Sequence, residues 1–311
     1  MAYFPLAENF NSFFGNLNPD PTALTRAARE HARVTALIEN QSGPAAAISP
    51  TCFLQGSYKQ QTAIHGINDV DVVALCSLWQ PAPPSSGSGP TWNRDQIFAI
   101  IASSIANDVR FVNKVSYNAN SMCIKVYGDV KIEVLPVVYT TNNNDPGKEP
   151  FRLYRPSNGQ WSDGFARYHQ GFLTWKNKPE KTSGNFIPAI KVFKHIRTRF
   201  QLQTVSFHIE CFLYSLPDAL FGGAPTGYLP NLFSHISANT AGAWYARNVL
   251  TPCGDRDIFT SGEWNAEGWG KFHQLSEQIA NALQSASAAT DRDAAIKLWQ
   301  LVLGDDVFPH L

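Results

Sequence analysis

The stretch FLQGSYKQQTAIHGINDVDVV, residues 53–73, ends in two aspartates that alternate with valines. Side chains of a strand alternate between its two faces, so Asp69 and Asp71 point the same way while Val70 and Val72 point towards a core. Two neighbouring carboxylates repel each other and lose hydration, and they persist at low cost only beside a cation. The pattern therefore predicts a cation-binding site on an otherwise apolar strand.

A divalent metal ion is the cation that this pattern favours. Lysine is the alternative, but Lys59, the nearest one in the sequence, precedes a predicted turn. The ligands are hard carboxylate oxygens without a His or Cys cluster beside them, which indicates Mg²⁺ or Mn²⁺ rather than zinc. His65, in the connecting loop, is interpreted as a surface or hydrogen-bonding residue rather than as a ligand.

A third carboxylate follows on a later apolar segment, KIEVLP at residues 131–136. Glu133 projects from one face of this predicted strand, while Ile132 and Val134 take the other. Asp129 shares the parity of Glu133 but falls at a predicted turn, so it ranks second. Three acids suit a clamp of two metal ions, which activates a hydroxyl and holds a triphosphate for in-line attack.

The pair Gly56-Ser57 lies a short spacer before Asp69. Glycine lets the backbone approach a phosphate closely, and a serine hydroxyl with turn amides can hold phosphate oxygens. Gly-Ser alone indicates little, but together with Asp-x-Asp and a later carboxylate it indicates a nucleotide site. The alternative is a surface hairpin with incidental acids, which does not explain why all three acids interrupt apolar strands.

The composition sets bounds on the kind of protein. A chain of 311 residues is too long for one small core and indicates two lobes or one elaborated domain. Hydrophobic residues make up 44% and charged residues 16%, which is enough for a sizeable core. The 25 basic and 25 acidic residues cancel, which argues against a protein that coats long DNA or RNA.

The cysteines and the N-terminus predict a cytoplasmic protein. No Cys-x-x-Cys occurs, which favours reduced, buried thiols over a zinc site. The five cysteines are Cys52, Cys76, Cys123, Cys211 and Cys253. The first ten residues lack a basic leader followed by an apolar run, so no signal peptide is predicted. No segment approaches the roughly 20 apolar residues of a membrane span.

Strands are predicted mainly in the first half of the chain and helices in the second. The predicted strands are residues 52–54, 70–76, 115–126 and 130–138, the last two joined by a turn at Gly128-Asp129. The predicted helices are residues 20–40, 94–107, 161–176, 185–200, 206–215, 264–285 and 291–303, with Asp291 as a cap and Gly304 as a stop. Residues 81–90 and 146–159 are predicted loops.

This order of elements predicts an α+β fold with two lobes. A mixed-sheet catalytic core with an N-terminal helix is expected over residues 1–160, and a helical nucleotide-binding lobe over residues 161–311. The active-site cleft is expected between the two lobes.

The motifs resemble those of the DNA polymerase beta-like nucleotidyltransferase superfamily, whose pattern is Gly-Ser, a spacer, Asp-x-Asp and a third acid on a later strand. The resemblance is closer to the bacterial CD-NTases, relatives of animal cyclic GMP-AMP synthase. It rests on GSYKQQTAIHGINDVDVV (56–73), VKIEVLPVVY (130–139), FIPAIKVFKHIRTRF (186–200), SFHIECFLY (206–214) and WQLVLG (299–304). The family's fold is a polymerase beta-like nucleotidyltransferase core with a helical C-terminal lobe.

The resemblance implies roles for individual residues. Those expected to contact the donor triphosphate are Gly56, Ser57, Lys194 and Ser206. Those expected to bind two Mg²⁺ or Mn²⁺ ions are Asp69, Asp71 and Glu133, and Glu133 would also help activate the attacking hydroxyl. The chain departs from the family pattern twice. Glu133 replaces a more usual Asp, and Val205 stands where a lysine often precedes the Ser-Phe.

The helix expected over residues 185–200 carries Lys191, Lys194 and Arg197 at a spacing of three, beside an apolar stripe. For Lys191 and Arg197 a solvated helix face is the favoured interpretation, whereas the resemblance favours a phosphate contact for Lys194. Glu210, on the next helix, is expected to be the structural partner of a basic residue.

The resemblance implies an enzyme that joins nucleoside triphosphates into a cyclic di- or trinucleotide second messenger. Its expected setting is bacterial anti-phage signalling of the CBASS type, with a downstream effector that senses the product. One alternative keeps the chemistry but uses an RNA end, a protein or a small molecule as acceptor. Another, a non-catalytic nucleotide-binding module, is disfavoured because all three acids are present.

Regulatory partners are also implied by the resemblance. The candidates are a HORMA-like protein and a ubiquitin-transfer-like enzyme acting on the tail Asp305–Leu311. No membrane partner and no long nucleic acid are expected.

Overall fold

The computed structural model describes residues 6–77, 92–139, 151–157, 159–163, 166–254 and 256–311. The predicted loop at residues 81–90 lies outside these ranges, as does most of the first half of the one at 146–159. The strands are β1 (Pro50–Gln55), β2 (Asp69–Cys76), β3 (Val115–Ser116), β4 (Ile124–Tyr127), β5 (Lys131–Tyr139), β6 (Phe151–Arg155) and β7 (Gln160–Asp163).

The helices are α1 (Ala7–Leu17), α2 (Pro21–Ile38), α3 (Gly56–Gln60), α4 (Arg94–Ala106), α5 (Ala166–Lys176), α6 (Pro179–Thr182), α7 (Phe186–Arg199), α8 (Ser206–Ser215), α9 (Pro225–Ser237), α10 (Ala241–Tyr245), α11 (Ala266–Ala288) and α12 (Arg292–Leu303). Two short 3-10 turns occupy Pro44–Ile48 and Asp218–Phe221.

The described residues form two compact units. The sheet unit comprises the described parts of Asp20–Gln61 and Gly66–Gln170. The helical unit comprises residues 6–19, Thr62–His65 and Gly171–Leu311. The helical unit thus begins later than residue 161, and it takes in an N-terminal helix and a four-residue segment that the predicted division placed in the core.

The sheet unit is built on a mixed sheet with strand order β1-β2-β5-β4-β3, and β6 and β7 extend it from the far end of β5. Only β2 and β5 run parallel among the described pairs, and the other pairings are antiparallel. The α+β class with a mixed sheet, predicted from the order of elements, is confirmed.

One face of the central strands is packed with helices. Val70, Val72, Ile132 and Val134 are fully buried there, in a core to which α2 and α4 contribute their apolar stripes. Since successive strand residues alternate faces, the odd-numbered residues of β2 and β5 point to the opposite face. This alternation places Asp69, Asp71 and Glu133 on the face of the sheet opposite the buried valines and isoleucine.

The helical unit is held by large aromatic side chains. The Phe193 ring stacks on Phe233 with centroids 4.5 Å apart, and Trp269 is fully buried among further rings. Residues of α1 join this core, because the Phe10 ring lies edge-on to Trp299 at 4.9 Å and to Phe308 at 5.0 Å. This packing explains why residues 6–19 belong with the C-terminal helices.

Capping groups set the boundaries of α2 and α12. The Asp20 carboxylate accepts from the amide of Thr22 at 2.6 Å, ahead of Pro21 in the first turn of α2. Asp291 accepts from the amide of Ala294 at 2.7 Å, and Gly304, with φ 93°, follows the end of α12. Both predicted signals for the last helix are confirmed.

Three predicted elements are corrected. Residues 115–126 are not one strand, because the Asn118 side chain accepts from the amide of Asn120 and closes a turn between β3 and β4. The loop predicted at residues 146–159 contains β6, and the helix predicted at 161–176 begins only with α5, after β7. Tyr154 and Trp161 pair across β6 and β7 with ring centroids 5.7 Å apart, a cross-strand contact of a short hairpin that local composition did not reveal.

Candidate active site

Three carboxylates share one face of the sheet at neighbouring register positions. The parallel pairing of β2 and β5 sets Asp71 opposite Glu133, and Asp69 opposite Lys131. Asp69, Asp71 and Glu133 are each partly exposed, while the valines between the aspartates are fully buried. The predicted common orientation of the three acids is therefore confirmed, and we refer to them as the acid strip.

Lys131 is the cation that the sequence analysis overlooked. Its ammonium lies 3.1 Å from Asp69 Oδ2 and 2.9 Å from Glu133 Oε1. Hydrogen bonding to Glu133, and to a lesser degree to Asp69, raises the pKa of Lys131 well above its usual range. The signal was present in the sequence, since Lys131 lies two residues before Glu133 and so shares its face.

Asp71 carries the least favourable charge in the acid strip. Burial, together with the nearby carboxylates of Asp69 and Glu133, raises its pKa from the ordinary 3.8 to about 6, against the lowering effect of Lys131. A carboxyl group in this state is stabilised by any further positive charge that comes close. The strip thus remains short of positive charge although one lysine is already present.

The Gly-Ser turn touches the acid strip directly. Gly56 has φ 71°, in the left-handed region, and opens α3. A Cβ on Gly56 would overlap the Asp71 carboxylate and lie 2.8 Å from Asp71 Cγ, so a side chain has no room here. Ser57, the next residue, is half-buried at the start of α3. The predicted proximity of this turn to the aspartates is present in the sheet unit.

The structure separates the two candidates for the third acid. Asp129 lies at the turn before β5, where its side chain is 63% exposed and 3.3 Å from the Arg29 guanidinium. Glu133 instead lies within β5 and accepts a weak hydrogen bond from the Cys123 thiol at 3.6 Å. Burial and the adjacent Glu133 raise the pKa of Cys123 to about 11, so this thiol stays protonated as a donor. The position of Glu133 is the one consistent with the acid strip.

Lys194 and Ser206, the other two predicted nucleotide contacts, belong to the helical unit. Lys194 is buried and forms an ion pair with Glu210 at 2.6 Å, which confirms the structural partnership predicted for Glu210. Its ammonium also donates to the Thr62 hydroxyl at 2.8 Å and to the Thr62 carbonyl at 3.3 Å. Since an ammonium has three hydrogens, a phosphate oxygen would have to displace one of these acceptors.

Ser206 opens α8 and is held by a basic residue of α7. Its hydroxyl accepts from the Arg197 guanidinium at 2.8 Å, and Arg197 also donates to the Thr204 carbonyl at 3.1 Å. Lys191 donates to the Asn18 side chain at 2.6 Å, and burial lowers its pKa. Lys191 and Arg197 are therefore bonded to protein groups rather than simply solvated, contrary to the favoured interpretation of the sequence.

The donor set of the acid strip suits a hard divalent cation, because it offers only carboxylate oxygens. Within the described residues no three His, Cys, Asp or Glu side chains already converge on one point. In the acid strip, Asp69 and Glu133 are instead grouped around the Lys131 ammonium, which stands in for such a cation. No helix of the described ranges is long and apolar enough to cross a membrane.

Comparison with known proteins extends these observations over nearly the whole chain. Residues 5–177 match the Second Messenger Oligonucleotide or Dinucleotide Synthetase domain. Residues 174–283 match the cGAS/DncV-like nucleotidyltransferase C-terminal helical domain. A curated relative, the cyclic UMP-AMP synthase of Rhodothermus marinus (strain SG0.5JP17-172), is 28% identical over 221 residues, which cover 65% of this chain and 74% of the relative.

Solved structures share the fold at low sequence identity. The Rhodothermus marinus CdnE c-UMP-AMP synthase, with Apcpp and Upnpp, matches with a TM-score of 0.68 and 20% identity over 93% of this chain and 99% of its own. The Escherichia coli CdnC, in a complex with HORMA-deltaN, matches with a TM-score of 0.73 and 15% identity, over 97% of this chain and 98% of its own. The Vibrio cholerae DncV cyclic AMP-GMP synthase matches with a TM-score of 0.69 and 11% identity, over 94% of this chain and 93% of its own.

A mixed sheet with paired acids beside a Gly-Ser turn defines a nucleotidyltransferase of the polymerase beta type. The chain belongs to the bacterial CD-NTases, the family of second messenger oligonucleotide or dinucleotide synthetases.

Proposed function

We propose that this enzyme uses divalent metal ions to join nucleoside triphosphates into a cyclic di- or trinucleotide, as a signal in bacterial anti-phage defence. The observation that carries the proposal is the register of β2 and β5, which sets Asp71 beside Glu133 on the face that Asp69 shares. Family membership supports the class of product, and the acid strip supports the chemistry.

The residues that would hold the metal ions are Asp69, Asp71 and Glu133, as a pair of Mg²⁺ or Mn²⁺ sites. They fit such ions because they offer hard oxygen ligands, and because burial and the neighbouring carboxylates raise the pKa of Asp71, so that a further cation would stabilise its charged form. When bound, the ions would make the attacking hydroxyl easier to deprotonate and would offset the charge that develops on the phosphates.

A cyclic dinucleotide requires two nucleotidyl transfers, and a cyclic trinucleotide requires three. A ribose hydroxyl oxygen of one nucleotide attacks the α-phosphorus of another, the bond to the β-phosphate oxygen breaks, and pyrophosphate leaves. Glu133 helps to activate the hydroxyl and take up its proton. The last transfer, between the remaining hydroxyl and α-phosphate of the linear intermediate, closes the ring, again with the release of pyrophosphate.

The donor triphosphate is assigned to the Gly-Ser turn. Gly56 leaves the backbone bare next to Asp71, and Ser57 offers a hydroxyl. In the helical unit, Ser206 is assigned a further phosphate contact, and Arg197, which donates to its hydroxyl, orients that oxygen. Lys194, the fourth residue named by the resemblance, is already committed to Glu210 and Thr62.

Substrates and partners are proposed from the relatives. The Rhodothermus marinus relative is named a cyclic UMP-AMP synthase, so ATP with UTP is the first substrate pair to test. The Escherichia coli relative is seen with a HORMA protein, so a HORMA-like regulator is a candidate partner. A ubiquitin-transfer-like enzyme and an effector that senses the cyclic product complete the proposed set.

The test is incubation of the purified chain with the four labelled ribonucleoside triphosphates, singly and in pairs, with Mg²⁺ or Mn²⁺. We expect a phosphatase-resistant product whose mass is that of a cyclic di- or trinucleotide, with two or three pyrophosphates released per ring. The doubly substituted variant Asp69→Asn, Asp71→Asn serves as the control and should form none.

Two other outcomes would redirect the assignment. Label that appears on added RNA, on protein or on a small acceptor would favour the transferase alternative. No pyrophosphate release with any nucleotide mixture would rule out the proposed synthase.

A further inference from the structure

Glu133 has a donor on each of its two carboxylate oxygens. Its Oε1 lies 2.9 Å from the Lys131 ammonium, and its Oε2 accepts from the Cys123 thiol at 3.6 Å. Because the two contacts lie on different oxygens, together they fix the direction in which the carboxylate faces.

The pairing of β4 with β5 brings both donors to Glu133. Lys131 lies two residues before Glu133 in β5 and therefore shares its face. The antiparallel register sets Lys125 of β4 opposite Glu133, and Cys123, two residues before Lys125, directly precedes β4. The thiol thus approaches Glu133 diagonally across two strands of the sheet unit.

The two contacts differ in how readily a metal ion replaces them. The Lys131 ammonium contributes a positive charge from a flexible side chain that is 31% exposed, and a divalent cation supplies the same kind of charge. The Cys123 thiol is neutral, because burial and the adjacent Glu133 raise its pKa to about 11, and it contributes a proton instead. A cation that replaces Lys131 at Oε1 therefore leaves the thiol at Oε2.

A glutamate depends on such a contact more than an aspartate does. The glutamate side chain has one more rotatable bond, and the last torsion before its carboxylate is broad. Without a donor on Oε2, rotation of the carboxylate would turn either oxygen, or both, towards a neighbouring cation.

We propose that β4 and β5 present Glu133 to the metal ion through Oε1 alone, with Cys123 as the positioning residue that keeps Oε2 turned away. A single oxygen suits the octahedral shell of Mg²⁺ or Mn²⁺, whereas the larger, flexible shell of Ca²⁺ readily takes both oxygens of a carboxylate. Cys123 thus favours the smaller ions. This inference rests on the proposed function for the metal site, while the thiol contact itself depends only on the sheet unit.

Substitutions of Cys123 separate the hydrogen bond from the volume of the side chain. Cys123→Ser keeps a donor, and Cys123→Ala removes it. Cys52→Ala is the matched control, because Cys52 is also a half-buried free thiol, and its strand, β1, is not paired with β5 in the described sheet.

Calorimetry without nucleotide gives the dissociation constants for Mn²⁺ and Ca²⁺. In Cys123→Ala we expect the constant for Mn²⁺ to rise about threefold, less than for most partners of metal ligands because a thiol is a weak donor. The constant for Ca²⁺ should not rise, since the second oxygen becomes available to it. The ratio of the Ca²⁺ constant to the Mn²⁺ constant therefore falls about threefold or more, and Cys123→Ser and Cys52→Ala should keep it within about twofold of the wild type.

Glu133→Asp shows whether Cys123 acts through Glu133. The aspartate carboxylate is shorter by one methylene and draws back from the thiol, so Cys123→Ala in this background should change the ratio less than about 1.5-fold. An equal fall in both backgrounds contradicts the proposal. A partial loss of fold is recognised separately, because it lowers the number of ions bound per chain without moving the ratio.

The hydrogen bond itself can be observed in the metal-free protein by infrared spectroscopy. The S–H stretching band that disappears in Cys123→Ser belongs to this thiol. In Glu133→Gln that band should move to higher wavenumber, since an amide oxygen is a weaker acceptor than a carboxylate. A band that stays in place overturns the contact.

The outcomes distinguish this proposal from the proposed function. An unchanged ratio in Cys123→Ala overturns the positioning role even if the wild type makes a cyclic product. If the ratio shifts as expected but the wild type makes no cyclic product, the presentation of Glu133 stands and the proposed function falls. A wild type that binds neither ion, with or without a non-hydrolysable triphosphate, overturns both.

Discussion

The carboxylate of Asp71 fills the space that a side chain on Gly56 would need. The residue that opens the Gly-Ser turn is therefore a glycine for two reasons, its left-handed backbone and the carboxylate packed against it. This contact brings the Gly-Ser turn and the Asp-x-Asp motif together in space, although thirteen residues lie between Ser57 and Asp71 in the sequence.

Gly56→Ala tests this contact. We expect a loss of about 2–4 kcal/mol in the free energy of unfolding, since alanine is strained at φ 71° and its Cβ displaces Asp71. Nucleotidyl transfer should fall with it. Urea unfolding and product assays measure both effects, with Gly270→Ala as the control because Gly270 has open space and lies inside α11, where alanine should stabilise.

Glu133→Gln and Asp129→Asn together identify the third acid. Glu133→Gln removes a ligand charge and a proton acceptor from the acid strip, so we expect kcat to fall by at least about 100-fold. Asp129→Asn removes an exposed charge paired with Arg29 and should change kcat less than about twofold. Equal effects of the two substitutions on pyrophosphate release would contradict the assignment of Glu133.

Lys131→Met tests whether the lysine and the metal ions compete for the acid strip. Without metal the variant should be less stable by about 1 kcal/mol, because Asp69 and Glu133 lose their shared cation. With metal, the concentration for half-maximal binding should fall, since no ammonium has to be displaced. Lys59→Met, at an exposed position of α3, should change neither the unfolding curve in EDTA nor the Mn²⁺ titration.

Asp71 gives a pH dependence that can be measured without metal. Its folded pKa of about 6 exceeds the ordinary 3.8, so the folded state holds this proton more tightly than the unfolded state. The group's favourable contribution to stability is thus present at low pH and is lost as pH rises from about 4 to about 6.

The measurement compares wild type with Asp71→Asn in EDTA. Below about pH 4 the two should differ little, because both side chains are neutral. Above pH 7 the asparagine variant should be more stable by up to about 3 kcal/mol, the equivalent of the difference between the two pKa values. A difference that is constant with pH would contradict the raised pKa, and saturating Mg²⁺ should reduce the advantage of the variant.

The sheet face of the site could be predicted from the sequence because period-two alternation is a local property. Asp69, Asp71 and Glu133 interrupt apolar runs, and parity alone assigns them to one face. The same argument applied to Lys131 would have found the counter-ion. Lys59, the lysine nearest to the aspartates in the sequence, lies instead at an exposed position of α3.

The remaining features depend on tertiary packing and on strand pairing, which the local pattern of residues does not show. The hydrogen bond from the Lys194 ammonium to the Thr62 hydroxyl spans 132 positions, and nothing in the local pattern of either segment indicates it. The prolines in α9, Pro225 and Pro230, hid a helix that tertiary packing stabilises. The hairpin of β6 and β7 was hidden by its loop-like composition, since its strands are short and their pairing decides their conformation.

The contact of α1 with the end of the chain has a consequence for synthesis. Asn9 donates to the Pro309 carbonyl at 2.8 Å, across 300 positions. At roughly 5–20 residues per second, a ribosome needs on the order of 15–60 s to supply that partner. The strands bearing the acids are made long before then. A growing chain can therefore pair the strands that bear the acids before residues 6–19 and the later helices close the core of the helical unit.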